Sequence, residues 1–185
     1  MRYDSVMKIF SLVWLLAVLC TACQTPGSYV SAFDQSTLPE SIQVGEGYKI
    51  AYEAVGLGTV LYRCTGLTEE GRRRYVWQFV GPDAKLLDRE GVQVGTYTGP
   101  PTYFQLKDGS GTSANGMRVS SNGAGNLTLQ ILEAHSSNGN GALTGVKFIQ
   151  RINTKGGAAP ANGCTVQNTG AEQKVQFQAD YIYWR

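Results

Sequence analysis

A single histidine, His135, and four cysteines are all that this 185-residue chain offers of the softer metal donors. So small a set argues against a His-rich or Cys-rich metal centre, and we expect neither metal nor cofactor. Basic clusters are equally scarce. Only Arg72-Arg73-Arg74 qualifies, and it directly follows Glu69-Glu70-Gly71. That context reads as a solvated hairpin tip rather than a nucleic-acid stripe, so no nucleic-acid partner is expected. Strong helix formers never gather into a long periodic run, which argues against a helical bundle. No apolar run reaches the roughly 20 residues needed to span a bilayer core.

What is present begins at the N-terminus. Met7-Lys8 precedes an apolar run of about a dozen residues, from Ile9 to Cys20, and then Thr21-Ala22-Cys23. A cation, a short apolar stretch and small residues form the pattern of an export signal. Met7 makes a tidier start than Met1, whose first segment carries Asp4. Two outcomes follow: lipidation of Cys23, or ordinary cleavage after Ala22. Lipidation signals usually place Leu three residues before the cysteine, and Cys20 occupies that slot. A buried N-terminal helix in a cytoplasmic domain is the remaining alternative. Gln24 after Cys23 favours the outer membrane for an anchored protein. The expected organisation is therefore a signal over 1–22, a linker over 23–37 and one domain over 38–185. Removing Arg2, Lys8 and Asp4 from 16 basic and 14 acidic residues leaves 14 and 13, a net charge of about +1. Electrostatics selects no partner.

Cys20 leaves with the signal and Cys23 is acylated or removed, so Cys64 and Cys164 remain in a chain bound for an oxidising compartment. A single disulfide between them is the economical reading, with two free buried cysteines as the rival. Such a bridge closes a loop of about 100 residues, to which the chain-entropy model assigns roughly 4–5 kcal/mol.

Glycine numbers 23 and tyrosine 10, and β-branched or alternating segments recur between turn clusters. This predicts an all-β chain, an antiparallel β-sandwich or partly closed barrel of about 8–10 strands with at most short helical turns. Residues 48–55 alternate, Gly56-Leu57-Gly58 reads as a turn, and 59–64 reads as the next strand. Further strands are expected over 75–80, 91–97, 102–107, 126–134, 143–153 and 174–184. A helical turn is expected over 84–88. In the last strand Val175, Phe177, Ala179, Tyr181 and Tyr183 share one face, which is plainly a core face. Ile182 and Trp184 on the other face imply that it too is covered near the chain's end. Three segments, 108–125, 136–141 and 154–163, read as glycine-rich loops. None has the strand-loop-helix context or following Lys-Ser/Thr of a phosphate cradle.

The candidates for chemistry are few. His135 with Ser110 and an acid, Asp108 or Asp180, makes a conceivable triad, although Gly109-Ser110-Gly111 lacks the nucleophile-elbow pattern. Asp108 and Asp180 also make a conceivable carboxylate pair for glycoside hydrolysis, which requires about 5–10 Å between them. Asp108 has the simpler reading of Asp-Gly-Ser turn chemistry. Asp180, an acid inside an apolar-aromatic strand, must be exposed, paired with a cation such as Arg151, or part of a site. Tyr97, Tyr103, Phe104, Trp77, Tyr181, Tyr183 and Trp184 either line a groove for a sugar or peptide or fill the core, and core is the primary expectation.

Several strings occur in a telling order. They are Tyr62-Arg63-Cys64, Trp77-Gln78-Phe79 with Gly81-Pro82-Asp83-Ala84-Lys85-Leu86, Asp108-Gly109-Ser110, the run Phe148-Ile149-Gln150-Arg151-Ile152-Asn153-Thr154-Lys155-Gly156-Gly157 with Pro160 and Cys164, and the close Phe177-Gln178-Ala179-Asp180-Tyr181-Ile182-Tyr183. Together they resemble the uncharacterised secreted family called domain of unknown function 3455, over about 38–184. The resemblance implies secretion and no established activity. Some relatives carry a dehydrogenase label, but this chain has no G-x-G-x-x-G between a strand and a helix. The resemblance also implies a histidine at the position of Tyr97 and a tryptophan near Tyr103, and this chain has neither. A catalytic role for that histidine does not carry over.

The expectation is thus an exported β domain with a non-catalytic binding or structural role at the cell envelope. Its partners would be the membrane, through a lipid on Cys23, and a glycan or peptide ligand. It would reside as an outer-membrane lipoprotein or in the periplasm, or else be secreted. An envelope hydrolase acting on a glycan or ester is the alternative.

Overall fold

The computed structural model describes residues 33–185. The export signal and Cys23 lie outside the described residues. Eight strands follow one another: β1 (Ile50–Glu69), β2 (Arg72–Leu87), β3 (Gln93–Thr98), β4 (Tyr103–Leu106), β5 (Gly111–Ser120), β6 (Leu129–Asn138), β7 (Phe148–Gly156) and β8 (Glu172–Trp184). Each pairs antiparallel with the next, and β8 pairs with β1 to close a barrel. Closure satisfies both edges of the sheet, which an open antiparallel sheet would leave exposed. The only helices among the described residues are three short 3-10 turns, Gln35–Thr37, Glu40–Ile42 and Val166–Asn168. The all-β class, the strand number and the short turns agree with the sequence, and of the two architectures the chain adopts the barrel.

An eight-stranded barrel has an interior that side chains can fill. Here an aromatic cluster fills it. Phe104 stacks on Tyr97 with ring centroids 4.4 Å apart and meets Tyr181 and Tyr183 edge-on at 5.4 and 5.7 Å. Room for these rings comes from small inward residues on the neighbouring strands: Ala54 on β1, Ala84 on β2 and Ala179 on β8. Gly56 and Gly58 complete that series. They do not form a turn, because β1 runs through them without interruption. A Cβ on Gly56 would sit 2.4 Å from the Tyr181 ring, and one on Gly58 would sit 2.2 Å from the Asp83 carbonyl oxygen. Both glycines are spacers for close approach.

Three other expectations are corrected in the same way. The helical turn over 84–88 is instead the end of β2, held to β1 and β3 by ladders on both sides. The loop beginning at Asp108 lasts only to Ser110. Gly111–Ser120 is β5, a strand of small and polar residues whose β-character comes from its partners β4 and β6. Residues 136–138, read as loop, extend β6. The Arg72-Arg73-Arg74 run does begin the return strand of a hairpin, with Arg74 paired to Glu69 at 2.5 Å.

The second face of β8 is covered, as Ile182 and Trp184 implied. Residues 33–50 cross the outside of the barrel and bury Ile42 and Val44 against Leu129, Ile131, Ile152, Ile182 and Trp184. Buried Gln150 ties this layer down: its Nε2 donates to the Ile42 carbonyl and its Oε1 accepts from Trp184 Nε1 at 3.3 Å. Cys64, buried on β1, is bonded to Cys164, 100 positions further along the chain. The bridge fastens the β7–β8 connection to the β1–β2 hairpin, at the end of the barrel where β1 ends and β8 begins.

Candidate binding pocket at the barrel mouth

That end of the barrel is open. A pocket of about 450 Å³ enters the interior there, lined by Tyr62, Phe79, Tyr97, Thr128, Gln130, Arg151, Ala158 and five further residues, among them Leu127 and Leu132, with Gly116 at its edge. The ladder explains its polar floor. On β6, β7 and β8, Gln130 lies opposite Arg151, and Arg151 opposite Tyr181, so the three form one row across the sheet. Ile149, Leu132 and Tyr183 lie on the same inward face deeper in the barrel. Alternation along β7 therefore sends Arg151 inward, beside Gln130 and Thr128 and above the aromatic cluster.

Arg151 is held but not neutralised. Its Nε and Nη2 donate to the carbonyl and hydroxyl oxygens of Thr128 at 3.1 and 3.2 Å. Among the described residues no carboxylate pairs with it. A guanidinium carries five N–H donors, and the groups beside the rest are the neutral Tyr97 and Tyr181 hydroxyls. Three tyrosines feel its charge. Burial pushes the Tyr62 and Tyr97 hydroxyls above the ordinary tyrosine range, and Arg151 offsets part of each shift. Burial pushes Tyr181 well above that range, Tyr97 adds to the effect, and Arg151 again opposes it. All three phenols therefore stay neutral at physiological pH and leave the cation uncompensated. The Tyr181 hydroxyl is fully buried, with the Arg151 guanidinium and the Tyr97 hydroxyl beside it.

The walls are well fixed. Tyr62 donates to the Gly157 carbonyl at 2.7 Å and so pins the start of the segment that carries Ala158 and Ala159. Trp77 Nε1 donates to Asn162 at 2.9 Å, and the disulfide holds Cys164. Asn126 accepts from the Gly156 N–H at 2.8 Å. Gly157, at φ +84, has no room for a Cβ, which would fall 2.7 Å from both Leu127 and Phe177. Phe79 stands at the rim, 55% exposed and edge-on to Tyr62. A larger surface dish of about 550 Å³ lies at the hairpin tip among Glu69, Glu70, Arg72 and Arg74, where charges already face one another.

Of the site residues singled out in the sequence, Tyr97 and Arg151 meet in this pocket. The others lie elsewhere. The expected Asp180–Arg151 pair does not form, because Asp180 faces Ile152 in the ladder, one residue out of step with Arg151 and hence on the opposite face. Asp180 instead accepts from Asn153 Nδ2 at 2.9 Å and lies 3.7 Å from Arg89, which also pairs with buried Glu53. Tyr103 projects outside and donates to Asn138 at 2.7 Å. His135 is exposed and is the extra residue of a β-bulge, where Ser136 faces Ser113 and Ala134 faces Ala114. No hydrogen bond or ion pair joins any two of Asp108, His135 and Asp180. Tyr62, Thr128 and Gln130 were missed. For Tyr62 and Gln130 the only signal was a polar or hydroxyl-bearing residue at an alternating position of a strand, and Thr128, just before β6, carried none.

Asp108 is a turn residue. It accepts from the Ser110 N–H at 2.8 Å, from Ser110 Oγ at 2.6 Å and from the Ala142 N–H at 2.8 Å, while Gly109 takes φ +90. Burial raises the pKa of its carboxyl, but those three bonds outweigh it and hold the group below the usual value. A depressed carboxylate stabilises the fold above its unfolded pKa of about 3.9, and that contribution disappears as pH falls through the lower folded value. Wild type will thus be more stable than Asp108→Asn at pH 7. In urea titrations across pH 2–7 the difference will shrink only below about pH 4.

With this geometry in hand, the family comparison is decisive: the family described as protein of unknown function DUF3455 matches residues 45–185. The chain belongs to that family. The matched segment takes in all eight strands and every residue of the pocket floor. Within this DUF3455 chain Tyr97, where the resemblance implies histidine, lines the mouth. No curated protein and no solved structure matches the chain.

Proposed function

We propose that the protein is an exported, non-catalytic binding barrel, held to the membrane by a lipid on Cys23, which takes its ligand at the open mouth. The pocket carries this reading. Its volume of about 450 Å³ lies in the 300–1,000 Å³ range of small-molecule sites, and its lining sets the polar side chains of Asn126, Thr128, Gln130 and Arg151 against aromatic and aliphatic ones in about equal measure. The lining contains no carboxylate, histidine, lysine, serine or cysteine among the described residues. It therefore offers neither a carboxylate pair nor a nucleophile with its base, the minimum for the alternative of a glycan or ester hydrolase. Export and anchoring rest on the pattern at 7–23 and agree with the disulfide, a bond typical of oxidising compartments.

Two measurements test this. Mass spectrometry of the envelope fraction should find a mature chain beginning at an acylated Cys23; an unacylated N-terminus there, or one further along, refutes the anchor. Amide chemical-shift mapping with a panel of small organic fragments should place binders at Tyr62, Thr128 and Ala158. Fragments that perturb other surfaces and never the mouth would remove the binding role.

A further inference from the structure

We infer that the ligand of the mouth is a small organic monoanion, a carboxylate on an apolar or aromatic body, whose charged group is received by Arg151. This rests on the reading of the mouth as a binding site, and it adds what the site selects.

The argument begins with charge. Arg151 is the one cation in the pocket lining, and among the described residues its neighbours are all neutral: Thr128, which takes two of its N–H donors, and the Tyr97 and Tyr181 hydroxyls, with no carboxylate paired to it. Placing a guanidinium in a partly desolvated, aromatic-walled cavity is costly unless an anion completes it. The neighbouring phenols do not supply that anion, because burial keeps them protonated. A carboxylate suits the planar fork of arginine better than a point-like acceptor does. Stoichiometry limits the ligand further. One cation balances one negative charge, so a polyphosphate or a polyanionic glycan would bring charge that nothing in the lining meets.

One other group awaits a partner. Gln130 lies beside Arg151 in the ladder, and its side-chain amide makes no hydrogen bond to the described residues. A carboxylate seated on Arg151 would present acceptor oxygens to that amide. The rest of the ligand then meets Tyr62, Phe79, Leu127 and Ala158, an apolar and aromatic wall opposite the polar row that suits a flat or aliphatic body.

The test uses the intact protein and three matched probes: 3-phenylpropanoate, its amide and a neutral monosaccharide, titrated by amide chemical-shift perturbation. The acid is expected to shift residues around Arg151, Gln130 and Thr128 and to bind at least about 10-fold more tightly than the amide, the range for a hydrogen bond to a charged group. Arg151→Gln should erase that preference, and Arg151→Lys should keep part of it. Equal binding of acid and amide by the wild type overturns the anion assignment while leaving a binding pocket, and this comparison does not depend on any variant folding. Unchanged acid affinity in a folded Arg151→Gln, or acid bound away from the mouth, overturns it as well. No shift at the mouth with any of the three probes overturns this assignment and counts against the binding role too.

Discussion

Replacing Cys64 and Cys164 together by alanine will lower the unfolding free energy by about 4–5 kcal/mol, the cost assigned to releasing a loop of this length from its crosslink. The two cysteines are 100 residues apart and join β1 to the connection between β7 and β8, so the bridge restrains nearly the whole barrel in the unfolded chain. In the folded state other bonds keep this region in place. The Cys64 N–H donates to the Ala171 carbonyl at 2.8 Å, and the Gly170 N–H donates to the Cys64 carbonyl at 2.9 Å. The native fold should therefore survive without the crosslink, and the loss should come from the unfolded side. Urea unfolding of wild type with and without reductant, beside the double variant, measures it. A shift below about 1 kcal/mol would mean that the unfolded chain retains enough structure to make the restraint redundant. Because the bridge also fixes the far end of the segment carrying Ala158 and Ala159, the variant should bind acid probes more weakly at the mouth.

Phe104→Ala comes next in size, with an expected loss of about 3–5 kcal/mol. Phe104 is fully buried at the centre of the barrel, and its ring touches those of Tyr97, Tyr181 and Tyr183. Removing it deletes a stacked contact and two edge contacts and leaves a cavity enclosed by a closed sheet. A barrel closed by ladders on all sides cannot readily collapse around the gap, which places the loss at the upper part of the range. Phe104→Leu, which retains most of the volume, should cost less than half as much. Equilibrium denaturation of both variants checks the ratio; equal losses would show that ring contacts rather than filled volume dominate. Since Tyr97 rests flat on Phe104, the alanine variant should also disturb the pocket floor.

Much of the fold was legible in the order of residues. The period-2 pattern of β8 separates Phe177, Ala179, Tyr181 and Tyr183 from Ile182 and Trp184, and both groups are buried against different layers. The cysteine pairing and the Asp-Gly-Ser turn were legible because each depends on residue type and short-range chemistry. β5 was not. Its sequence, Gly-Thr-Ser-Ala-Asn-Gly-Met-Arg-Val-Ser, has the composition of a loop, and the strand exists because β4 and β6 present ladders to it. Gly56 and Gly58 failed for another reason. A glycine needed for a turn and a glycine needed for close packing are the same letter, and only the ring of Tyr181 and the backbone at Asp83 distinguish them.

The site divides along the same line. By itself the sequence determined the strand class, the crosslink and the presence of an arginine and an aspartate in strands otherwise apolar or aromatic. The tertiary structure decided that these two never meet. Alternation assigns residues to two faces, but in β7 and β8 both faces are buried, so the pattern alone does not say which one is the interior. Register settles it: Asp180 lies opposite Ile152 on the outside, and Arg151 lies opposite Tyr181 on the inside. A one-residue offset in a ladder separates two opposite charges that seemed made for each other, and leaves the cation open at the mouth of the barrel.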